Sequence, residues 1–529
     1  MVMVMGTAMR LKRPLKPRVH NYGFRVETFK ISRLSVALGL TAFSVAVHCE
    51  TPRFETSLTV SETFTDNADA TKHGRSDWIT EISPTVSIRG SGGHVTGSLD
   101  ASFRNLLYAK DGSNNSSFLA LNGNAQVEAI DDSLFIDIAS SISRNNLSSF
   151  SGRPQWDNQN TSSQSEIRYL SVSPRWVGRI GKSDAQFSLN YNGQALSYGS
   201  NMSNQSMGTF HARLFNPTAG ERFGWSIDYT TSDNSYPDSN QQNVTDSNLT
   251  GTLTFYATPL VSLRLIVGTE ENNYMTGQDE SGTVTGYGFN WRPTPRTNVD
   301  GTLEHHVYGD TYDFHLSHRQ ALAAYNLAIT RDITSAYQTA TNSLGSYYYN
   351  LFSSSLISQF PDPVQRDQAT RELMKALGIP VGGSFGNFAT NAFFVDQRIQ
   401  AGFSLVGARH SLALSIYRSD RTKTNSGDTI FNSSDDFANN DNIKSWGWTV
   451  SLSHKLAPTS SLNGALYWSN SEGTGGGPSQ DSRNKGLTLG YNKQLTAKTS
   501  GTVMFRHETS SGNDGFTENA VTASLFRAF

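Results

Sequence analysis

The sequence predicts an all-β protein, a transmembrane antiparallel up-and-down β-barrel of about 22 strands (range roughly 20 to 24). Three observations carry that expectation. Segments of strand length alternate apolar and polar residues from Phe54 to the end of the chain. The connections between them are short and long in alternation. The chain closes on NAVTASLFRAF, where Val521, Ala523, Leu525 and the terminal Phe529 share one face. A period of two sends successive side chains to opposite faces, so one strand offers one surface to lipid and another to water. Arg527 resists the pattern, because it falls on the apolar face where an apolar or aromatic residue is usual.

Composition agrees. The 529 residues are 36% hydrophobic, 17% charged and 11% aromatic, with a mean hydropathy of −0.43. Low charge with many aromatics is not the composition of a disordered chain. Ser, Asn, Thr and Gly make up the difference, as suits strands that are apolar on one side only. The net charge of −2 gives no electrostatic footprint for nucleic acid, and none is expected as a partner. The first 49 residues read as a signal peptide. Arg10, Lys12, Arg13, Lys16, Arg18, Arg25, Lys30 and Arg33 form a basic region before the uncharged stretch LSVALGLTAFSVAV, Leu34 to Val47. The single cysteine, Cys49, follows His48, a poor match to a lipoprotein signal. Beyond it no disulfide can form. No later segment approaches ~18 consecutive apolar residues. An exported β-rich chain is then either a secreted β protein or an outer-membrane barrel, with residues 50–529 forming the barrel and outer-membrane lipids its surroundings.

The strands follow in order. Phe54, Thr56, Leu58, Val60, Glu62 and Phe64 share the first face, and Trp78, Ile82, Val86 and Ile88 the next. Later strands are as regular: Ala185, Phe187, Leu189 and Tyr191; Val261, Leu263, Leu265 and Val267; Trp446, Trp448, Val450 and Leu452. Short turns fall near Gly90–Gly93, Asp131–Asp132, Thr258–Pro259 and Thr496–Lys498. Long polar loops fall at Leu147–Ser163, Thr422–Asp441 and Glu472–Ser482. A soluble sandwich has no reason to sort loop length by side, and a β-helix would show a fixed repeat, which is absent. Trp176, Tyr256 and Trp291 precede short turns, while Trp78, Tyr229, Trp446 and Trp468 flank long loops. That sets rings at both edges of an apolar band.

The alternation also assigns a water-filled side. Arg89, Arg104, Arg175, Arg213, Arg264, Arg398 and Arg506 fall there, with Glu81, Asp100, Glu128, Asp228, Asp396 and Glu508. In a channel such charges shape the field a permeant feels; in any wet barrel they are simply a solvated wall. Between Val299 and Ser317, a hairpin turn at Gly309-Asp310 would set His306 opposite Asp313 and Glu304 opposite His315. Two histidines and two carboxylates on neighbouring rungs have the ligand types for a divalent metal, although a ladder of complementary polar pairs reads the same way. No cofactor is expected.

Ser335 to Asn391 interrupts the strand rhythm as a long insertion on the long-loop side. Within it PDPVQRDQATRELMKALGIP reads as a helix. Asp362 can cap it, Pro363 suits its first turn, Gly378 can end it, and Val364, Leu373 and Leu377 form an apolar stripe. The stripe must cover something: the insertion plugs the lumen, caps its mouth, or lies outside as a lid. Gly382 to Gly386 matches G-x-S-x-G but follows a helix in a Gly-rich loop, the wrong context for a nucleophile elbow. Asp435, Asp436 and Asp441 form an acidic loop cluster that could take calcium or simply be polar loop.

FETSLTVSETFTDN, HHVYGDTYDFHLSHRQ and FPDPVQRDQATRELMKALGIP together resemble the outer-membrane proteins associated with PEP-CTERM/exosortase systems, over most of the mature chain. The resemblance implies an exported barrel working beside extracellular-polysaccharide machinery and letting a polysaccharide or a sorted surface protein cross the outer membrane, with polysaccharide-export components as partners, and carries no catalytic residues. The expected function is a non-enzymatic channel or export conduit gated by the insertion. A non-conducting adhesive barrel is the alternative, and a membrane-embedded hydrolase lacks an identifiable nucleophile and base. Phe529 is the expected signal to the barrel-assembly machinery.

Overall fold

The computed structural model describes residues 52–529 apart from 152–158, 162–163, 182–183, 200–201, 219–221, 238–241, 336–343, 358–359, 362–365, 367–368, 372, 375–387, 389, 425–434, 476–479 and 513–514. Residues 1–49, expected to be a signal peptide, lie outside the described residues. Twenty-two strands form one antiparallel sheet. They begin with β1 Arg53–Thr65, β2 Asp77–Gly92, β3 Val95–Tyr108, β4 Ser116–Ile130, β5 Leu134–Asn146, β6 Gln164–Arg179, β7 Gln186–Tyr198 and β8 Gln205–Asn216. Next come β9 Phe223–Ser235, β10 Val244–Thr258, β11 Val261–Asn272, β12 Glu280–Thr294, β13 Thr297–His306, β14 Gly309–Arg319 and β15 Ala323–Thr334. The last are β16 Phe394–Val406, β17 His410–Lys423, β18 Asn442–Ala457, β19 Ser460–Thr474, β20 Gln480–Thr496, β21 Thr499–Ser511 and β22 Phe516–Ala528.

Each strand pairs with its sequence neighbours, and β1 pairs with β22 from Ser57↔Ala528 to Thr65↔Ala520. The sheet is therefore closed and has no edge. Closure satisfies the strand N–H and C=O groups within the sheet, which is the condition for a β structure to sit in hydrocarbon. The outward face is apolar on strand after strand: Leu265 and Val267 are 62% and 61% exposed, and Val60, Ile82, Val86, Leu253, Leu466, Leu489 and Val521 are exposed as well. A continuous belt of this kind belongs in lipid, so the barrel spans a membrane. Among the described residues no helix is long and apolar enough to cross one.

Loop length sorts by end, except that the β13–β14 turn at 307–308, on the long-loop end, has two residues. One end has only tight connections, such as 93–94, 259–260, 295–296, 458–459 and 497–498; the other carries 66–76, 147–163, 335–393 and 424–441. The register irregularities between Glu128/Ile130, Tyr256/Thr258, Trp291/Thr294, Lys455/Ala457 and Gln494/Thr496 all sit beside tight turns. Bulges there help the strands twist into the turn. Aromatic pairs mark both edges of the belt. Phe64–Trp78 and Trp446–Trp468 lie near the long loops, at 5.2 and 6.5 Å between ring centroids. Trp176–Phe187 lies near the tight turns at 5.5 Å. Tyr256 departs from expectation: it pairs with Ser262, on the face that carries Arg264, so its neighbour Phe255 supplies the outer ring, against Phe223.

Candidate functional site: the barrel lumen and its plug

A barrel this wide leaves a broad lumen unless the chain fills it. The first helix of the insertion, α1 (Leu344–Leu356), does so. Its Tyr348, Leu351, Phe352 and Leu356 recur at helical spacing and are buried. The first three pack with Met374 against Ala324 and Ala413, which point into the lumen only a few residues from the tight-turn end. The Tyr348 hydroxyl meets Ser415 Oγ at 2.7 Å, and the Tyr347 hydroxyl donates to Asn326 Oδ1 at 2.7 Å. Gly402 makes this seat possible, because a Cβ there would stand 2.0 Å from the Tyr347 hydroxyl. The wall under α1 is built of Ala, Gly, Ser and Thr, and Ser404, Ser415, Thr449 and Ser451 are buried beneath it.

The expected helix in PDPVQRDQATRELMKALGIP is present at 366, 369–371 and 373–374; Asp362, Pro363, Val364, Leu377, Gly378 and Pro380 lie outside the described residues, as does Gly382–Gly386. Leu373 packs onto the same apolar cluster as α1. Arg371 reaches the other way. Its Nη1 lies 3.5 Å from Asp100 Oδ2 on β3, across the lumen from the wall that seats α1, while its guanidinium covers the Tyr349 ring at 5.7 Å. The insertion therefore touches opposite walls of the lumen. It lies in the lumen, not outside it.

The wide-loop mouth carries a second crossing. Thr390 and Asn391, at the end of the insertion, receive the Tyr198 hydroxyl (3.3 Å to Thr390 O) and the Tyr236 hydroxyl (2.9 Å to Asn391 O) from the β7 and β9 side. The Asn391 side chain binds Ser203 through both its groups, donating to the carbonyl at 2.8 Å and accepting from the N–H at 3.1 Å. On the near side Asp435 accepts from Thr390 Oγ1 at 3.0 Å and from the Asn391 N–H at 2.9 Å. Asp435 also caps the short helix α2 (Asp436–Asn439) through the Phe437 N–H. Asp436 accepts from the Ser149 N–H at 2.6 Å, joining the β5–β6 loop to the β17–β18 loop that holds this strap, residues 390–393. Phe150, Phe388, Ala392, Phe394, Phe437 and Ile443 form one buried apolar cluster at this mouth. Burial pushes Asp435 up to about 6 and Asp436 up to about 7, against the opposing pull of their N–H donors. The acidic trio expected as one cluster is divided, since Asp441 points to Lys423 Nζ at 2.8 Å.

The alternating register sets all thirteen charges named above on the lumen face, and most pair along the wall. Arg89 binds Asp100 at 3.0 Å, Arg104 binds Glu81 at 2.7 Å, and Arg264 forks onto Asp300 at 3.1 and 3.0 Å. Arg213 lies 3.4 Å from Asp228, Arg398 3.5 Å from Asp396, and Arg175 3.7 Å from Asp137. Glu128 accepts from the Asp132 N–H at its turn. Arg506 is buried with Glu508 and pairs with Glu518 of the closing strand at 2.7 Å. Glu518 also accepts from Thr65 Oγ1 of β1 at 2.7 Å and from Gln159, so one carboxylate ties β21, β22, β1 and a loop at the seam.

The hairpin proposed at Gly309-Asp310 turns two residues earlier, at Val307-Tyr308, and pairs His306 with Gly309. Glu304 then faces Thr311, Asp313 faces Thr302, and His315 faces Asp300. Glu304, His306, Asp313 and His315 keep the lumen side because the slip is even. Their partners change: His306 bridges Glu270 at 2.8 Å and Glu304 at 3.1 Å, while His315 meets Asp313 at 2.7 Å. Among the described residues no three His, Cys, Asp or Glu side chains are arranged to hold a metal ion.

At the closing strand, Phe529 is 63% exposed on the lipid side, and its N–H donates to Thr56 O at 2.9 Å. Arg527 is no flaw in that strand: its guanidinium covers the Phe529 ring at 5.7 Å at the tight-turn edge, where the charge reaches the interface. Glu518, Arg371, Thr390 and α1 were not singled out in the sequence. Only α1 left a signal, the spacing of Tyr348, Leu351, Phe352 and Leu356.

No family model matches the sequence, and no curated protein does. Solved structures of similar fold include the FrpB iron transporter of Neisseria meningitidis, at TM-score 0.47 and 9% identity over 92% of this chain and 84% of that one. The siderophore receptor PirA of Acinetobacter baumannii aligns at TM-score 0.44 and 8% identity, over 91% and 81% of the two chains. OccK1 (OpdK) of Pseudomonas aeruginosa aligns at 0.34 and 12%, over 90% and 99%.

Proposed function

We propose that this protein is an outer-membrane channel of transporter type, closed in its resting state by its own 335–393 segment and opened when that segment moves. The observation that carries the reading is the double anchorage of the insertion, with α1 on the small-residue wall and Arg371 on Asp100 opposite. A barrel serving only as a surface scaffold has no use for a helix seated deep in its bore. The surface-polysaccharide or surface-protein cargo implied by the family resemblance belongs to this proposal, as do export components as partners and Phe529 as the assembly signal.

Planar-bilayer recording tests it. The intact protein should show rare, small openings, and a variant lacking residues 336–391 should give large, steady steps while still showing the heat-modifiable migration of a folded barrel. A folded deletion variant that passes no current would overturn the channel reading and leave a non-conducting surface barrel.

A further inference from the structure

Near the tight-turn end, β6, β7 and β8 enclose a cleft of about 490 Å³ on the lumen wall, away from the seat of α1. Arg175, Asn190 and His211 form one rung of this wall, and Ser188 and Arg213 the next. Three features of these side chains point outward to something else. First, the guanidiniums of Arg175 and Arg213 are fixed by stacking on Phe135 at 4.8 Å and Phe215 at 5.1 Å. Stacking orders an arginine without using its hydrogen-bond donors. Second, those donors make only loose ion pairs. The nearest carboxylates stand 3.7 Å from Arg175 Nε and 3.4 Å from Arg213 Nε, a looser fit than Arg264 achieves on Asp300. Neither guanidinium makes a hydrogen bond among the described residues. Third, the carboxamide oxygen of Asn190, on the same cleft, is buried without a partner. Planar forks held ready are the usual means of binding carboxylates in a bidentate way. The neutral groups of Ser188, Asn190 and Gln186 between them suit hydroxyls.

We propose that this cleft binds a carboxylate-bearing sugar, one acidic monosaccharide unit, with its carboxylate on Arg175 and Arg213 and a hydroxyl on Asn190 Oδ1. The volume is ample for a ligand of that size. The site deepens the transport reading by naming the class of solute met at the tight-turn mouth, and it rests on that reading for its purpose. Binding itself is independent of conduction.

Calorimetry on the full-length detergent-solubilised barrel, with galacturonate, galactose and inorganic phosphate as probes, decides it. Galacturonate should bind at least about tenfold more tightly than galactose, and Arg175→Gln with Arg213→Gln should reduce its affinity by about tenfold or more. Asn190→Leu should weaken galacturonate while leaving phosphate unchanged. Equal affinity for galactose, retention of galacturonate by the double variant, or tighter binding of phosphate than of galacturonate would each overturn the proposal. Loss of binding with normal bilayer currents would sink this site and leave the channel standing, whereas silent bilayers with binding intact would do the reverse.

Discussion

Toward the tight turns, the lumen face of β15 to β18 carries Ala324, Gly402, Ser404, Ala413, Ser415, Thr449 and Ser451, with Arg398, Asp396 and Arg421 only at its long-loop end; from β6 to β14 the same face carries Arg175, His211, Arg213, Arg264, Asp300 and His315. The first stretch is covered and the second is open: Ser404 and Ala413 are fully buried, whereas the side chains of Arg213 and His315 are 47% and 54% exposed. The difference shows what each stretch is for. A helix can seat only where side chains are short and uncharged, because long ones hold it off and charges lose water beneath it. Charges left facing an aqueous lumen stay solvated, and their pairs contribute little to stability.

That contrast makes burial, not charge, the quantity to test. Arg506–Glu518 has the same chemistry as Arg213–Asp228 but is excluded from water at the closing seam. Glu518→Ala should cost about 3–5 kcal/mol, since it leaves a buried guanidinium beside Glu508 without its main partner. Arg213→Gln should change stability by less than about 1 kcal/mol. Urea titration of the refolded barrel in vesicles measures both, and equal losses would dissolve the distinction.

The seat itself comes next. Ala413→Phe places a ring where Tyr348 and Leu351 now lie and should weaken plug seating by about 1–3 kcal/mol. Frequent large openings in bilayers, with unchanged urea stability of the barrel, are the expected result. Thr302→Phe, on the open stretch, should leave the closed state alone.

How much of this was legible beforehand follows from the kind of order involved. Strand number, closure and lumen-facing charges came from a period of two, which repeats along the whole chain and averages out local errors. The hairpin after His306 did not. Gly309-Asp310 is good turn chemistry, yet the structure pairs Gly309 in the strand and turns at Val307-Tyr308, where the Val307 N–H finds Glu270. Neighbouring strands fixed that register, and nothing within the hairpin announces it. The plug shows the same limit. Helix α1 has no charged residue in its first or last turn, so its stability comes from Ala324 and Ala413, which are distant in sequence. Glu518 looked like one more charge on a strand; only the crossing of β21, β22 and β1 makes it a joint.

At the mouth, pH should set how firmly the strap holds. Asp435 and Asp436 are raised to about 6 and about 7, chiefly by burial. An open strap would return them to an ordinary value of about 4. The closed form therefore binds protons more tightly, and by linkage its advantage is greatest below about pH 4. It declines as pH rises toward 7 and is lost above. Lys423 and Arg421 face these carboxylates and temper the effect without reversing it. Protection of the amides of residues 390–393 from hydrogen exchange, taken relative to an unstructured peptide at the same pH, should be greater at pH 5 than at pH 8, and Asp435→Asn with Asp436→Asn should flatten the difference.

The smallest effect belongs to the contact that spans both stretches. Arg371–Asp100 is the ionic tie between the plug and the far wall, but both side chains keep about a quarter of their exposure and Asp100 already holds Arg89. Screening by lumen water limits such a pair to about 1 kcal/mol or less, so Arg371→Gln should raise open probability no more than about fivefold. High salt should raise the intact protein's open probability by a similar factor and leave the variant unaffected. If Arg371→Gln instead opens the pore as fully as deletion of 336–391, then the charged wall, and not the small-residue seat under α1, is what holds the plug.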